Sequence, residues 1–481
     1  MRFKKVAFIV PPFDGQNQDN RGLYLGVGYI SQYLIDNDIE NKVIDTRFGY
    51  TVQDIKKKLA DYKPDLVAVV VFTNEYQKTY DVVKAIKNKN YKIVLGGYHV
   101  STIKSKILEE TDADFAIKVE GEDAMLELCK GEPFEKILNL LYRKDGKIIE
   151  NPTRPPVTDL DKFNFPRYES FEFEKYDHLI PICTSRGCPF LCTFCTVETT
   201  TGRQFRVRSP ENVLAEIKMW YNKGYREFCF VDDNFTLLKE RAIELCKLIK
   251  KSKLTGLKMR CAGIRADRVD REVLTYMRNV GFDQLGVGVE VGNDKMLKII
   301  KKGETLAQIE KAIKEIVRLK FDLQLYFVIG NQYETKEDVE DSFKLALKYP
   351  ISDAHFYNPL PFPGSELYNW VSKNGYFVED FKTYINEHCN FSVKPVFATP
   401  ELSVKERVRL LKKSKGVEKT ILRRYIARKM EPSFKMFATP LSFIVMFSPM
   451  RWSINTFFKH PVGKLAIKTF IKMFKVDVHY L

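Results

Sequence analysis

Apolar residues along this chain fall into short runs separated by segments of helical period. In the first part the runs are VAFIV (6–10), NKVID (41–45), LVAVVVF (66–72), KIVLGG (92–97) and FAIKV (115–119). Runs this short and continuous predict strands buried on both faces, and the amphipathic segments between them predict crossover helices. The expectation for residues 1–135 is an α/β unit, a doubly wound parallel sheet of Rossmann-like type. NPTRPPVTDLDKFNFPRYE, from Asn151, carries prolines and no apolar period, so residues 136–176 read as a linker. From residue 179 the alternation resumes with LIPICT, REFCFV, LKMRCA, QLGVGVE, LQLYFVI and AHFYN. Six βα units over residues 177–385 are too few for an eight-stranded barrel and predict a partial (β/α)6 barrel.

Composition changes this picture only at the end of the chain. The 481 residues are 44% hydrophobic and 13% aromatic, enough for more than one core. The formal charge of +16 suggests nucleic acid or membrane at first sight, yet residues 401–481 hold 18 Lys and Arg against 5 Asp and Glu. The excess therefore sits in a basic C-terminal region, residues 386–481, and the body is close to neutral. No run of 18 apolar residues occurs, which argues against a membrane span. The opening MRFKKVAFIVPPF reads as a buried strand rather than a secretory leader, so a reducing, cytoplasmic setting is expected.

Ligands in doubly wound sheets sit at the carboxyl ends of the strands, which here carry FTNEYQ, GGYHVS and EGED. Candidate contacts are Thr73, Asn74, Gly96, Gly97, His99, Glu120 and Gly121. The dinucleotide fingerprint G-x-G-x-x-G does not follow the first strand, and GVGY falls inside the first helix, where it reads as a packing device.

TSRGCPFLCTFCTVETT, residues 184–200, places three of the nine cysteines within eight positions, far denser than composition alone gives. Three thiolates suit a soft metal. Zinc wants a fourth ligand at comparable spacing, and neither His178 nor Cys183 is a convincing one. A four-iron cluster held by three cysteines keeps one iron open, so iron and sulfur are the favoured reading.

Cys188, Cys192 and Cys195 in CPFLCTFC match C-x-x-x-C-x-aromatic-C, and the chain here resembles the radical S-adenosylmethionine (SAM) enzymes. The first 135 residues, with RGLYLGVGYISQYL and VLGGYHVS, resemble the cobalamin-binding domain attached to many of them. The resemblance implies a 4Fe-4S cluster, SAM chelated at the open iron, and cobalamin. D-x-H-x-x-G is absent, so a lower axial histidine from that motif is not expected; His99 is the tempting substitute, with contact to the cofactor's edge the alternative.

Phe194 would sit near the adenine. Asp232 and Asp233 in VDDNF stand at a barrel rim, where they read as SAM or substrate contacts or as a helix cap. GVGVEVGNDKML resembles the family's G-x-E-S-G stretch; Glu290 there needs a partner if buried, either SAM or a structural hydrogen bond. Arg265 in AGIRADRV matches a common family arginine and reads equally as a salt-bridge partner. FVIGNQYET departs from the family's I-G-L-P-G-E-T, with different turn chemistry.

The resemblance implies reductive cleavage of SAM to methionine and a 5′-deoxyadenosyl radical, then methyl transfer from cobalamin to an unactivated carbon. Cyclisation or rearrangement, and modification of RNA or a peptide, are the alternative chemistries. A small-molecule substrate and a one-electron donor such as flavodoxin or ferredoxin are the implied partners. In the tail, LSVKERVRLLKKSKGVEKTILRRYIARKM reads as a basic amphipathic helix, followed by FKMFATPLSFIVMFSPMRW and FFKHPVGKLAIKTFIKMFK. Aromatic and aliphatic faces beside lysine suit an interfacial helix, hence peripheral membrane contact and a hydrophobic, lipid-like substrate; a helical cap over the barrel is the alternative.

Overall fold

The computed structural model describes residues 1–11, 22–388, 392–434, 439, 440 and 442. Most of FKMFATPLSFIVMFSPMRW and all of FFKHPVGKLAIKTFIKMFK lie outside the described residues. The N-terminal sheet is built from β1 (Lys5–Val10), β2 (Glu40–Asp45), β3 (Leu66–Val70), β4 (Lys92–Gly96), β5 (Phe115–Ile117), β6 (Leu140–Lys144) and β7 (Lys147–Glu150). Its order is β2-β1-β3-β4-β5-β6-β7. The first five strands are parallel, as their continuous apolar runs require.

The last two strands are an antiparallel hairpin inside the expected linker, so the sheet runs on to Glu150. Asp145 (φ 49°) and Gly146 (φ 74°) form its turn, the left-handed pair a tight two-residue connection demands. Beyond it the proline-rich segment does cross between the two halves, burying Phe163, Tyr168, Phe171 and Tyr176. Tyr168 packs on Gly28 of helix Leu25–Ile35, where a Cβ would lie 2.7 Å from its ring; GVGY is indeed a close-packing device.

The second sheet uses β8 (Leu179–Ile182), then a two-residue ladder of β9 (Ser185–Arg186) with β10 (Arg206–Val207) outside it, then β11 (Glu227–Phe230), β12 (Lys258–Ile264), β13 (Phe282–Glu290), β14 (Asp322–Val328) and β15 (Asp353–Tyr357). Its order is β15-β14-β13-β12-β11-β8 and every pair is parallel: the six-stranded partial barrel. Leu325, Phe327 and Phe356 face the helices and are buried in the core, so Tyr326, His355 and Tyr357, half-exposed on the opposite face, line the lumen.

Helix Val404–Phe434 closes the open side. It buries Leu410, Leu411, Val417, Ile421 and Tyr425, and Glu418 Oε1 accepts the N–H of Phe356 on edge strand β15 at 3.0 Å. This part of the basic tail is a cap on the barrel; apart from Arg407, which is buried, most of its lysines and arginines ride outside a buried stripe.

Candidate active site

The cysteine loop leaves the sheet after β8 and is tied at its neck by the β9–β10 ladder. Both candidate carboxylates from the turn after β11 hold this neck. Asp232 Oδ1 accepts Thr184 N at 3.0 Å, Thr184 Oγ1 at 2.8 Å and the Ser185 hydroxyl. Asp233 Oδ2 accepts Gly187 N and Thr201 Oγ1, each at 3.1 Å. Burial raises the pKa of both acids. Asp232 Oδ2 has no partner among the described residues. The turn passes directly over β12: a Cβ on Gly263 would lie 1.9 Å from Asp232 O.

Cys188, Cys192 and Cys195 are all free; Cys192 lies within electrostatic reach of Cys188, and Cys195 of both. Burial pushes the Cys195 thiol up to about 11. Among the described residues no three His, Cys, Asp or Glu side chains stand close enough to chelate a single ion. Three free thiols on one pinned loop fit a polynuclear cluster, in which each thiolate binds a different iron.

Behind Cys192 lies a buried ionic group. Glu290 ends β13 in a left-handed conformation (φ 69°), and its Oε1 lies 3.1 Å from Lys302 Nζ. Gly288 makes room for this fold-back, since a Cβ there would lie 2.5 Å from Glu290 Oε1. Glu290 thus has its partner within the chain: Lys302, which sequence reasoning missed because it belongs to the segment after the next helix. Arg265 donates from Nη2 to Lys302 O at 2.8 Å, pairs with Asp267 at 3.0 Å, and lies 3.4 Å from the Phe190 ring centroid. It clamps the cysteine loop onto the barrel. Phe194 is half-buried and packs against both cores.

In the NQY turn, Glu334 accepts Gly330 N and, at 2.9 Å, Asn331 N, so its carboxylate closes the turn on itself. Tyr333 adopts φ 57° where the family carries glycine, a conformation costing roughly 1–2 kcal/mol for a residue with a Cβ. Arg407, from the capping helix, is fully buried against this turn, and burial pulls it down to about 9 while Glu334 rises to about 7.

A cavity of about 550 Å³ opens between the carboxyl edge of the N-terminal sheet and the cysteine-loop neck. Gly96, Gly97, Glu120 and Gly121 line it, with Tyr24, Phe72 and Tyr98 on the same side and Cys183, Arg186, Val231 and Asp233 on the other. Gly97 (φ 105°) lies so close to β3 that a Cβ would meet Val71 O at 2.8 Å, whereas Gly96 has open space within 4 Å. That bare glycine floor is a cradle any side chain would fill, and it fits a large flat cofactor such as cobalamin. Tyr98, 54% exposed, stands into it and was not singled out in the sequence; an aromatic residue following two glycines was the available signal. Across the seam Arg186 binds Glu120 at 3.0 Å and Glu122 at 2.8 Å, and Arg206 binds Glu120 at 2.8 Å.

Three candidates do not reach this cavity. His99 is turned to the far side of the sheet, buried, stacked on Tyr76 at 4.4 Å and bonded to Tyr80 at 3.2 Å. Burial lowers its pKa to about 4. Thr73 and Asn74 also lie outside the lining, their place taken by Phe72.

Comparison with known proteins agrees with this geometry. Residues 182–346 match the radical SAM superfamily and residues 19–129 match the B12 binding domain. An uncharacterized methyltransferase of Pyrococcus horikoshii is 30% identical over 431 residues, spanning 86% of this chain and 92% of that protein. The anaerobic magnesium-protoporphyrin IX monomethyl ester cyclase of Rubrivivax gelatinosus is 27% identical, over 79% of this chain and 72% of the cyclase. The fold is that of the cobalamin-dependent SAM radical enzyme OxsB (TM-score 0.71, 17% identity, 98% of this chain and 75% of OxsB).

Proposed function

The chain belongs to the cobalamin-dependent radical SAM methyltransferase family, and from that premise we propose that it methylates an unactivated carbon of a small molecule. When bound, the 4Fe-4S cluster supplies the electron that cleaves SAM and cobalamin supplies the methyl group.

The residues divide the work. Cys188, Cys192 and Cys195 are the cluster ligands. Glu290 and Lys302, a buried pair of opposite charge beside Cys192, are the groups to hold the charged and hydroxyl-bearing parts of SAM, with Phe194 on its adenine side. Asp232, Asp233 and Arg265 keep the loop in place. Gly96, Gly97, Glu120 and Gly121 form the cobalamin floor. The observation that carries the reading is the seam itself: Asp233 and Arg186 line the cobalamin cavity and also belong to the neck of the cysteine loop. A cavity that merely sensed cobalamin needs no such shared wall; a reaction in which a carbon activated beside the cluster would receive a methyl group from cobalamin does.

The lumen face of Tyr326, His355 and Tyr357, with Asp353 3.4 Å from His355, supports a substrate whose reacting part carries hydrogen-bonding groups. A hydrophobic, lipid-like remainder and peripheral membrane contact rest on the lysine- and phenylalanine-rich sequence beyond residue 434. No helix of the described residues is long and apolar enough to cross a membrane.

The test is anaerobic reconstitution with iron, sulfide and cobalamin, then supply of dithionite as reductant and SAM bearing a deuterated methyl group. Label in a product, with 5′-deoxyadenosine, supports methylation; 5′-deoxyadenosine with product free of label assigns the chain to cyclisation or rearrangement instead. Zinc in anoxically purified protein overturns both. Sedimentation with anionic liposomes, lost on removing residues 435–481, tests the membrane contact.

A further inference from the structure

Of the eight large apolar side chains exposed among the described residues, two line the same cavity from opposite walls: Tyr98, 54% exposed, on the sheet side, and Val231, 45% exposed, on the barrel side. Apolar residues scattered singly over a surface carry no message, but two that face one hollow give a slot an apolar floor and roof. Tyr98 is fixed at its backbone and idle at its tip. Gly97 before it is pressed against β3, where a Cβ would lie 2.8 Å from Val71 O; His99 after it donates its backbone N–H to Val71 O at 3.2 Å and stacks on Tyr76 at 4.4 Å.

Among the described residues no hydrogen bond, ion pair or ring contact engages the Tyr98 side chain, while Tyr24 and Phe72 on the same wall pack on each other edge to face at 5.3 Å. Its exposure is to the hollow rather than to bulk water: enclosure by the walls, with Asp233 and Cys183 across the seam, raises the pKa of its hydroxyl and keeps the ring neutral. Val231 follows β11 and is held by its N–H to Ile182 O at 3.0 Å. Around the slot the lining turns polar, with Glu120, Arg186 and Thr200. Apolar faces inside a polar rim match a flat macrocycle whose plane is apolar and whose edge carries amides.

Resting on the cobalamin reading above, we propose that Tyr98 and Val231 clamp the corrin ring between them, Tyr98 packing on the face turned to the N-terminal sheet, where His99 does not reach, and Val231 on the face turned to the barrel. The clamp is a contact of surfaces, and the phenol binds no metal. The larger side chain stands on the sheet side and the smaller on the barrel side, which leaves the barrel-side face of the macrocycle the more open of the two.

The experiment uses the full chain freed of cobalamin and takes hydroxocobalamin as the probe, measuring affinity by equilibrium dialysis and the unfolding temperature with and without the probe. For Tyr98→Ala, affinity is expected to fall by about tenfold or more, and the rise in Tm on adding the probe to shrink with it. Its Tm without the probe and its iron content after reconstitution are expected to match the wild type, because no partner within the chain is lost. Tyr98→Phe is expected to keep affinity within about twofold, since the ring carries the contact. Val231→Ser is expected to weaken binding by about threefold or more. Equal affinity in wild type and Tyr98→Ala overturns the clamp, a loss in Tyr98→Phe as large as in Tyr98→Ala overturns ring packing in favour of the hydroxyl, and unchanged binding in Val231→Ser overturns the barrel-side half. A wild-type chain without affinity for hydroxocobalamin overturns the cobalamin reading instead.

Discussion

Lys302 Nζ and Glu290 Oε1 meet at 3.1 Å between segments twelve residues apart, against the loop that carries Cys192. A buried pair of this kind contributes little net stability on its own, because desolvation offsets attraction, but removing one member strands the other.

Lys302→Met is therefore expected to cost about 3 kcal/mol of stability and to weaken SAM binding at least tenfold, whereas Lys302→Arg keeps most of both. Urea unfolding and equilibrium dialysis with radiolabelled SAM measure the two effects. Unchanged SAM affinity in the methionine variant would reduce the pair to a structural clamp.

Gly263→Ala places a methyl group against Asp232 O, and the turn that grips the loop neck must move. A loss of about 2–3 kcal/mol is expected, together with iron loading below that of the wild type after reconstitution. Iron assay and thermal unfolding read these separately.

Filling the cobalamin floor is expected to act on one cofactor alone. Gly96→Phe should abolish corrinoid retention through desalting while leaving iron content intact, because nothing but open space adjoins that position. His99→Ala, by contrast, is expected to destabilise the chain through lost stacking on Tyr76 and to leave the absorption spectrum of bound cobalamin unchanged.

Asp353 gives a pH signature. Burial pushes its carboxyl up from 3.8 to about 6, opposed by Ala354 N and the charge of Lys415, so the folded chain holds this proton more tightly than the unfolded one. Stability from this group is full below about pH 4 and is lost as pH rises through about 6, some 3 kcal/mol in all. In Asp353→Asn that decline is expected to vanish from denaturation curves recorded between pH 4 and pH 7.

The strands were readable because each carries a short apolar or alternating run bounded by polar residues, and the cysteine loop because its spacing is dense and local. The hairpin Leu140–Glu150 escaped, although Lys-Asp-Gly-Lys announces its turn, because polar Arg143, Lys144 and Lys147 interrupt the apolar pattern. Asp232 and Asp233 were placed at the correct rim, but their use as anchors for the loop neck depends on which N–H groups the chain brings back to them. Lys302 was invisible for the same reason: its partner is set by how a loop and helix fold over a strand end. His99 shows the converse, since a histidine in the loop after two glycines reads as a cofactor contact in sequence while the sheet turns it to the opposite face.

The β9–β10 ladder has a consequence for maturation. Residues 187–205 form a loop whose ends are paired by backbone bonds, with Asp232 and Asp233 gripping the same neck, so groups of the chain itself hold it closed. Closing a loop of this length in a free chain would cost about 3 kcal/mol, a cost that these protein–protein bonds offset without help from metal–ligand bonds. Iron and sulfide can then be handed over as a finished unit to a chain that has folded beforehand, and a chelator should strip them without unravelling the barrel.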